Sequence, residues 1–240
     1  CGEMFGLEKE DLLDFATSLE LIHSYSLVHD DLPAMDNDDY RRGKPANHIQ
    51  FGEATAILAG DALLTEAFKL MLETDLPADR VRRAAAEVAT ATGPRGMVGG
   101  QSIDMNLQRQ QEVGLDRLRQ MHSLKTAELI KTSCLSGAIL AGADKKDLER
   151  MHTFGRCIGL AFQVADDILD VVGDKVSLGK PVGSDEEAGK TTYPSLLGLE
   201  ESKKIGKELV LEALNTLEPY QGKQAEFLRD LSNYIVDRLE

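Results

Sequence analysis

Two groups of aspartates carry the chemistry in this sequence. The stretch "DDLPAMD" holds Asp30, Asp31 and Asp36, and residues 38–44 add Asp38 and Asp39 and then three bases, Arg41, Arg42 and Lys44. A second stretch, "FQVADDILD", holds Asp166, Asp167 and Asp170 behind Gln163. At about 100° per residue, Gln163, Asp166, Asp167 and Asp170 fall on one helical stripe. Three carboxylates so placed repel one another unless something positive lies over them. Asp30 and Asp36 lie about 120° apart on an ideal helix, with Pro33 between them, so Asp36 is expected to reach back from a helix end or a turn. Neither cluster has a histidine or cysteine at ligand spacing. Carboxylates alone suit hard cations, and magnesium takes one or two of them together with phosphate oxygens and water. Two such clusters could clamp a diphosphate through shared Mg²⁺ ions. A single Asp-Asp pair is ordinarily a solvated surface feature; a related pattern twice, each beside basic or amide groups, argues for a site.

The rest of the chain must position those acids. Its 240 residues, 42% of them hydrophobic, supply one sizeable core, so a single domain over residues 1–240 is expected. Acids outnumber bases 41 to 27, a net charge of −14, which argues against nucleic acid or an anionic membrane as partner. No apolar run approaches the ~18 residues of a membrane span. Cys1, Cys134 and Cys157 are scattered, without the spacing of a disulfide framework or zinc site, and a cytoplasmic location is the expectation.

Apolar residues at Leu12, Phe15, Ala16, Leu19 and Ile22 follow three-and-four spacing and predict an amphipathic helix, which Pro33 should end or bend. Similar spacing predicts helices near 53–72, 78–92, 115–140, 146–172, 192–216 and 222–239. Breaks are expected at residues 75–77, at Gly93-Pro94, at Gly99-Gly100, near Gly142 and over 173–189. No train of alternating β-branched residues marks a strand. The fold class is all-α.

With these residues in view, the chain resembles the trans-isoprenyl diphosphate synthases. "DDLPAMD" is similar to the longer form of that family's first aspartate-rich motif, "RRGKP" to its arginine pair, and "FQVADDILD" followed by "GK" to its second motif. "MVGGQSIDM" and "HSLKTAELI" are similar to the blocks between, and the motifs are most similar to those of bacterial farnesyl diphosphate synthases (geranyltranstransferases). The resemblance implies the isoprenoid synthase fold, with long helices around a central cavity and the two clusters facing across its mouth. About three Mg²⁺ per site would hold the diphosphate of an allylic substrate. The implied reaction is ionisation of dimethylallyl or geranyl diphosphate, attack by isopentenyl diphosphate and loss of a proton, giving farnesyl diphosphate. A homodimer is also implied.

Carried over residue by residue, Asp30, Asp31, Asp36, Asp166, Asp167 and Asp170 match metal positions. Arg41, Lys125, Lys180 and Lys190 match ligands of the allylic diphosphate, while Thr126 and Gln163 match residues flanking the reacting carbon. His23 and Arg42 match contacts to isopentenyl diphosphate. Taken alone, His23 reads as a plain helix histidine and the lone lysines as solvated; their placement favours the functional reading. Gln101 and Asp104 are read as candidates for the cavity mouth, and His48, His122 and His152 have no evident partner. The family's upstream Gly-Lys-x-x-Arg segment has no counterpart, so the chain is expected to lack the opening helices.

By resemblance, the residues four and five before the first motif form the floor of the product pocket, here Ser26 and Tyr25. Ser26 lies one turn, about 5.4 Å, below Asp30 and leaves room, whereas Tyr25 is bulky and is expected to stop the product at fifteen carbons. Geranylgeranyl diphosphate synthase is the alternative. A terpene cyclase fits less well, because "DDILD" lacks the Asn/Ser/Glu pattern of that group. A non-catalytic regulatory subunit would be expected to have lost one cluster.

Overall fold

The computed structural model describes residues 1–108, 113–172 and 190–238. Among these residues the chain is helical apart from one two-stranded ladder, in accord with the all-α expectation. Backbone contacts group it into two compact units, Glu8–Ala85 on the one hand and Cys1–Leu7 with Ala86–Glu240 on the other.

In the unit Glu8–Ala85, helix α1 (Lys9–Asp30) starts where the Asp11 carboxylate accepts the Glu8 N–H at 3.2 Å, satisfying a donor the first turn leaves open. Its buried face is Phe15, Ser18, Ile22 and Tyr25, at three-and-four spacing. Burial of side chains such as Phe15 and Ile22 contributes about 1.5–3 kcal/mol each. The expected face is rotated slightly: Ala16 is exposed and Ser18 is inside. Ser18 can be buried because its Oγ donates to the Phe15 carbonyl at 2.6 Å, which removes the cost of a stranded hydroxyl. The helix ends at Asp30, ahead of Pro33, which disfavours helical geometry before it.

Next come β1 (Tyr40–Arg41) and β2 (Lys44–Pro45), antiparallel with Arg41 opposite Lys44. Arg42 and Gly43 join them at φ 52° and 73°, both left-handed as a two-residue I′ turn requires. This hairpin is too short to leave an alternating pattern in the sequence. Helices α2 (Asn47–Phe51) and α3 (Glu53–Glu73) follow, and α3 lies along α1 through Ala56, Gly60, Ala67 and Met71. Helix α4 (Ala78–Thr92) begins in this unit.

The second unit contains α5 (Met97–Leu107), α6 (Leu115–His122), a π-helical turn (Ser123–Ala127), α7 (Glu128–Ala141) and α8 (Lys145–Val172). Helices α9 (Tyr193–Leu197), α10 (Leu199–Thr216) and α11 (Lys223–Asp237) complete it. Helix α8 packs on α7 and α10 through Met151, Phe154, Ile158, Ala161, Ala165 and Ile168, a continuous apolar stripe. Val172, the last residue of α8, is exposed. Three expectations failed locally. Gly99 and Gly100 lie inside α5 instead of breaking it, the helix expected over 115–140 carries the π-turn in its middle, and the helix expected over 192–216 is divided into α9 and α10 at Gly198, where φ is 79°. Among the described residues, no helix is long and apolar enough to cross a membrane.

Candidate active site

The first cluster is built by the end of α1 and the turn after it. Leu32 N–H donates to the His29 carbonyl at 3.2 Å and Asp36 N–H to the Asp30 carbonyl at 2.9 Å. The chain therefore doubles back, as Pro33 suggested, and brings Asp36 beside Asp30. Both side chains are half-buried, whereas Asp31 is 2% exposed. Asp31 turns to the hairpin, where Arg41 Nε donates to its Oδ1 at 3.0 Å and Nη2 donates to the same oxygen. Arg41 also reaches Asp38 at 3.4 Å. Burial, the largest influence, pulls the Arg41 pKa down, but the hydrogen bond to Asp31 and the charges of Asp31, Asp38 and Asp30 outweigh it and raise it above the usual value. The exposed Arg42 forms the hairpin tip in a left-handed conformation unusual for a non-glycine residue.

His23, Tyr25 and Ser26 lie on α1 ahead of the cluster. Tyr25 is buried at 6% exposure, and burial raises its pKa, so the phenol stays neutral. Ser26 Oγ donates to the His23 carbonyl at 2.8 Å, which folds the hydroxyl back on its own helix.

The second cluster lies on α8. Its polar stripe straddles the edge of the core: Asp166 is exposed, Asp170 and Gln163 are half-buried, and Asp167 is 3% exposed. Asp167 accepts the Gln163 Nε2–H at 2.9 Å on Oδ1 and the Tyr193 backbone N–H at 2.9 Å on Oδ2. Gln163 Oε1 in turn accepts the Thr126 hydroxyl at 2.8 Å. The run Thr126–Gln163–Asp167–Tyr193 thus ties the π-turn, α8 and the start of α9 together, and satisfied networks anchored on a buried group set geometry firmly.

Lys125 and Thr126 both lie in the π-turn, a feature often found at functional positions. Lys125 Nζ donates to Asp104 Oδ2 on α5 at 2.6 Å. Gly100 permits that approach, since a Cβ there would stand 2.2 Å from the Lys125 amide nitrogen. His122, just before the turn, is buried with its ring 5.5 Å from that of Tyr193 and its Nε2 3.9 Å from Asp167 Oδ1. Burial, and after it the charge of Lys125, pushes His122 down to about 3. His122 is therefore neutral.

Sequence reasoning missed three of these features: the pairing of Asp104, read only as a candidate for the cavity mouth, with Lys125, and any part for His122 or for the Tyr193 backbone N–H. Asp104 did leave a signal, being an acid amid small and apolar residues in α5, where a buried carboxylate needs a partner. Lys190 is half-buried at the approach to α9. Lys180, Glu112 and the acids 185–187 lie outside the described residues. Met97 and Met121 are buried, Met105 is half-buried and Tyr40 is exposed.

Among the described residues, no three His, Cys, Asp or Glu side chains converge as a ready metal cage. Magnesium does not need one, because phosphate oxygens and waters complete its octahedron. Asp30 and Asp36, joined by the turn, supply two carboxylates, and α8 carries Asp166 and Asp170 on one stripe. The donor set fits magnesium.

An all-helical chain with two carboxylate clusters, each buttressed by a buried aspartate and accompanied by cations suited to diphosphate, has the makings of an enzyme that acts on diphosphates. Comparison with known proteins agrees: the chain belongs to the Polyprenyl synthetase family, which it matches over residues 1–231. It is thus a trans-prenyltransferase of isoprenoid chain elongation with the isoprenoid synthase fold. It is 46% identical to the farnesyl diphosphate synthase of Escherichia coli (strain K12), over 99% of this chain and 81% of that protein. It is also 46% identical to geranylgeranyl pyrophosphate synthase 7, chloroplastic, of Arabidopsis thaliana, over 98% of this chain and 69% of that one. The structure of a Helicobacter pylori geranyltransferase complexed with magnesium and isoprenyl diphosphate superposes with a TM-score of 0.83 at 32% identity, covering 99% of this chain and 82% of that one. Two relatives of equal identity thus carry the names of different products.

Proposed function

We propose that this chain is a magnesium-dependent farnesyl diphosphate synthase, condensing isopentenyl diphosphate with dimethylallyl and then geranyl diphosphate. The carrying observation is Tyr25: a buried, neutral aromatic ring five residues before Asp30, beside a Ser26 whose hydroxyl is turned back to the helix. A rigid ring at that depth limits how far an apolar tail can extend.

Asp30, Asp36, Asp166 and Asp170 are the residues that would hold magnesium, which supplies charge neutralisation to the departing diphosphate. Asp31 and Asp167, buried and hydrogen-bonded, fit a supporting role better than that of direct ligands. Arg41, Lys125 and Lys190 add positive charge for the allylic diphosphate, with Lys180 assigned the same part by sequence alone. Such preorganised charge acts most strongly where charge develops in the transition state. Asp167 holds the Gln163 amide by its N–H, so the amide oxygen is kept on the Thr126 side. Oxygen lone pairs of Gln163 and Thr126 then stabilise the allylic cation. His23 and Arg42 bind isopentenyl diphosphate. The released diphosphate accepts the proton lost at the end, so no protein base is required.

The test is the product profile with Mg²⁺, dimethylallyl diphosphate and labelled isopentenyl diphosphate. Wild type is expected to give mainly C15, Tyr25→Ala longer products and Ser26→Phe shorter ones. Mainly C20 from the wild type would make the chain a geranylgeranyl diphosphate synthase, and identical profiles in both variants would remove the floor from this pair.

A further inference from the structure

Tyr25 does not hold its position alone. Its ring meets that of His29, one turn further along α1, edge to face with centroids 5.7 Å apart. His29 is in turn pinned to the neighbouring helix: its Nε2 lies 3.0 Å from the Ile57 carbonyl oxygen in α3. A carbonyl can only accept, so Nε2 carries the hydrogen. The ring fits there because residue 60 is glycine. A Cβ on Gly60 would stand 2.0 Å from His29 Nε2, 2.3 Å from Cδ2 and 2.7 Å from Cε1, so the imidazole occupies the volume that any other side chain would fill.

We propose that Gly60 and His29 are determinants of product length, with the notch at Gly60 seating the imidazole and the imidazole buttressing the ring of Tyr25. The inference rests on reading Tyr25 as the pocket floor. An aromatic pair of this geometry gains a directional contact beyond the area it buries, and side chains in a packed interior hold one rotamer only while their neighbours fill the space around them. Take the buttress away and the Tyr25 ring gains a second place to go, deepening the pocket. The nature of the clash makes Gly60 a usable handle. The atoms that block a Cβ at Gly60 belong to a side-chain ring that can swing out, whereas those blocking one at Gly100 or Gly159 include backbone atoms of Lys125 or Ala127. Gly60→Ala should therefore expel His29 while leaving the α1–α3 packing in place.

The experiment measures the C20 to C15 product ratio of the full chain as wild type, Tyr25→Ala, His29→Ala, Gly60→Ala and the two double variants that contain His29→Ala. The ratio is expected to rise about tenfold in His29→Ala and in Gly60→Ala, a barrier difference of about 1.4 kcal/mol. Because each residue acts through the next, Tyr25→Ala/His29→Ala should match Tyr25→Ala, and Gly60→Ala/His29→Ala should match His29→Ala. If Tyr25→Ala lengthens the product but neither His29→Ala nor Gly60→Ala does, the buttress is wrong and the floor stands. If Tyr25→Ala changes nothing, the floor and the buttress fall together. Additive lengthening in the Tyr25/His29 double variant would also overturn the proposal, since His29 would then act independently. Should His29→Ala fold poorly, Gly60→Ala, which changes no residue of α1, decides alone.

Discussion

The two acid clusters solve the same electrostatic problem with different materials. Just past the end of α1, the buried member of the pair, Asp31, is neutralised by a full charge, Arg41, delivered by a two-stranded hairpin. On α8, the buried member, Asp167, is satisfied by neutral donors, the Gln163 amide and the Tyr193 backbone N–H. In both, the second aspartate of the Asp-Asp pair faces inward and its neighbours lie nearer to solvent. The difference teaches where each cluster is vulnerable. The first depends on a charge pair within a loop region, the second on a hydrogen-bond chain that also orients the residues assigned to the reacting carbon.

The comparison is broken most severely at its outer members. Asp30→Ala and Asp166→Ala are each expected to lower kcat/KM by about 10³-fold, the cost of removing one transition-state electrostatic contact, with little change in thermal stability. Equal losses in steady-state assays would place both clusters on the same step, whereas a loss in only one would assign the other a structural part.

Next come the inner members. Asp31→Asn and Asp167→Asn should each cost about 10- to 100-fold in activity, as outer-shell changes at metal sites do. Their mechanisms differ. Asn at 31 faces Arg41 without a charge and loses the ion pair, so its activity should fall less with added salt than that of wild type. Asn at 167 can still accept the Tyr193 N–H, but its amide then opposes that of Gln163; its defect should not depend on salt. Salt titration of kcat/KM checks this, and identical salt responses would erase the distinction.

The smallest effect is expected from Thr126→Val, which keeps the shape and removes the donor to Gln163 Oε1. It should lower kcat about tenfold with KM for the allylic substrate nearly unchanged, the signature of an interaction made in the transition state. A rise in KM at constant kcat would instead make Thr126 a binding residue.

Much of this was legible in the sequence because it is local. Three-and-four spacing marks helices such as α3 and α8, and the turn at Pro33 that returns Asp36 to Asp30 follows from backbone sterics alone. Other features were hidden because a one-dimensional pattern does not encode them. The π-turn at 123–127 inserts into a helix without changing residue types, the hairpin at 40–45 is too short for alternation, and Gly100 reads as a breaker although it is there for close approach to Lys125.

By itself, then, the sequence determined most of the helices, the acid clusters and the bases beside them, because periodicity, proline and charge act over a few residues. Only the tertiary structure decided which aspartate of each pair is inward, that Lys125 answers to Asp104, and that Tyr25 leans on His29 in the notch of Gly60. Those outcomes depend on neighbours up to tens of residues away in the chain, and on the steric and hydrogen-bonding demands that appear only when helices are packed at close range.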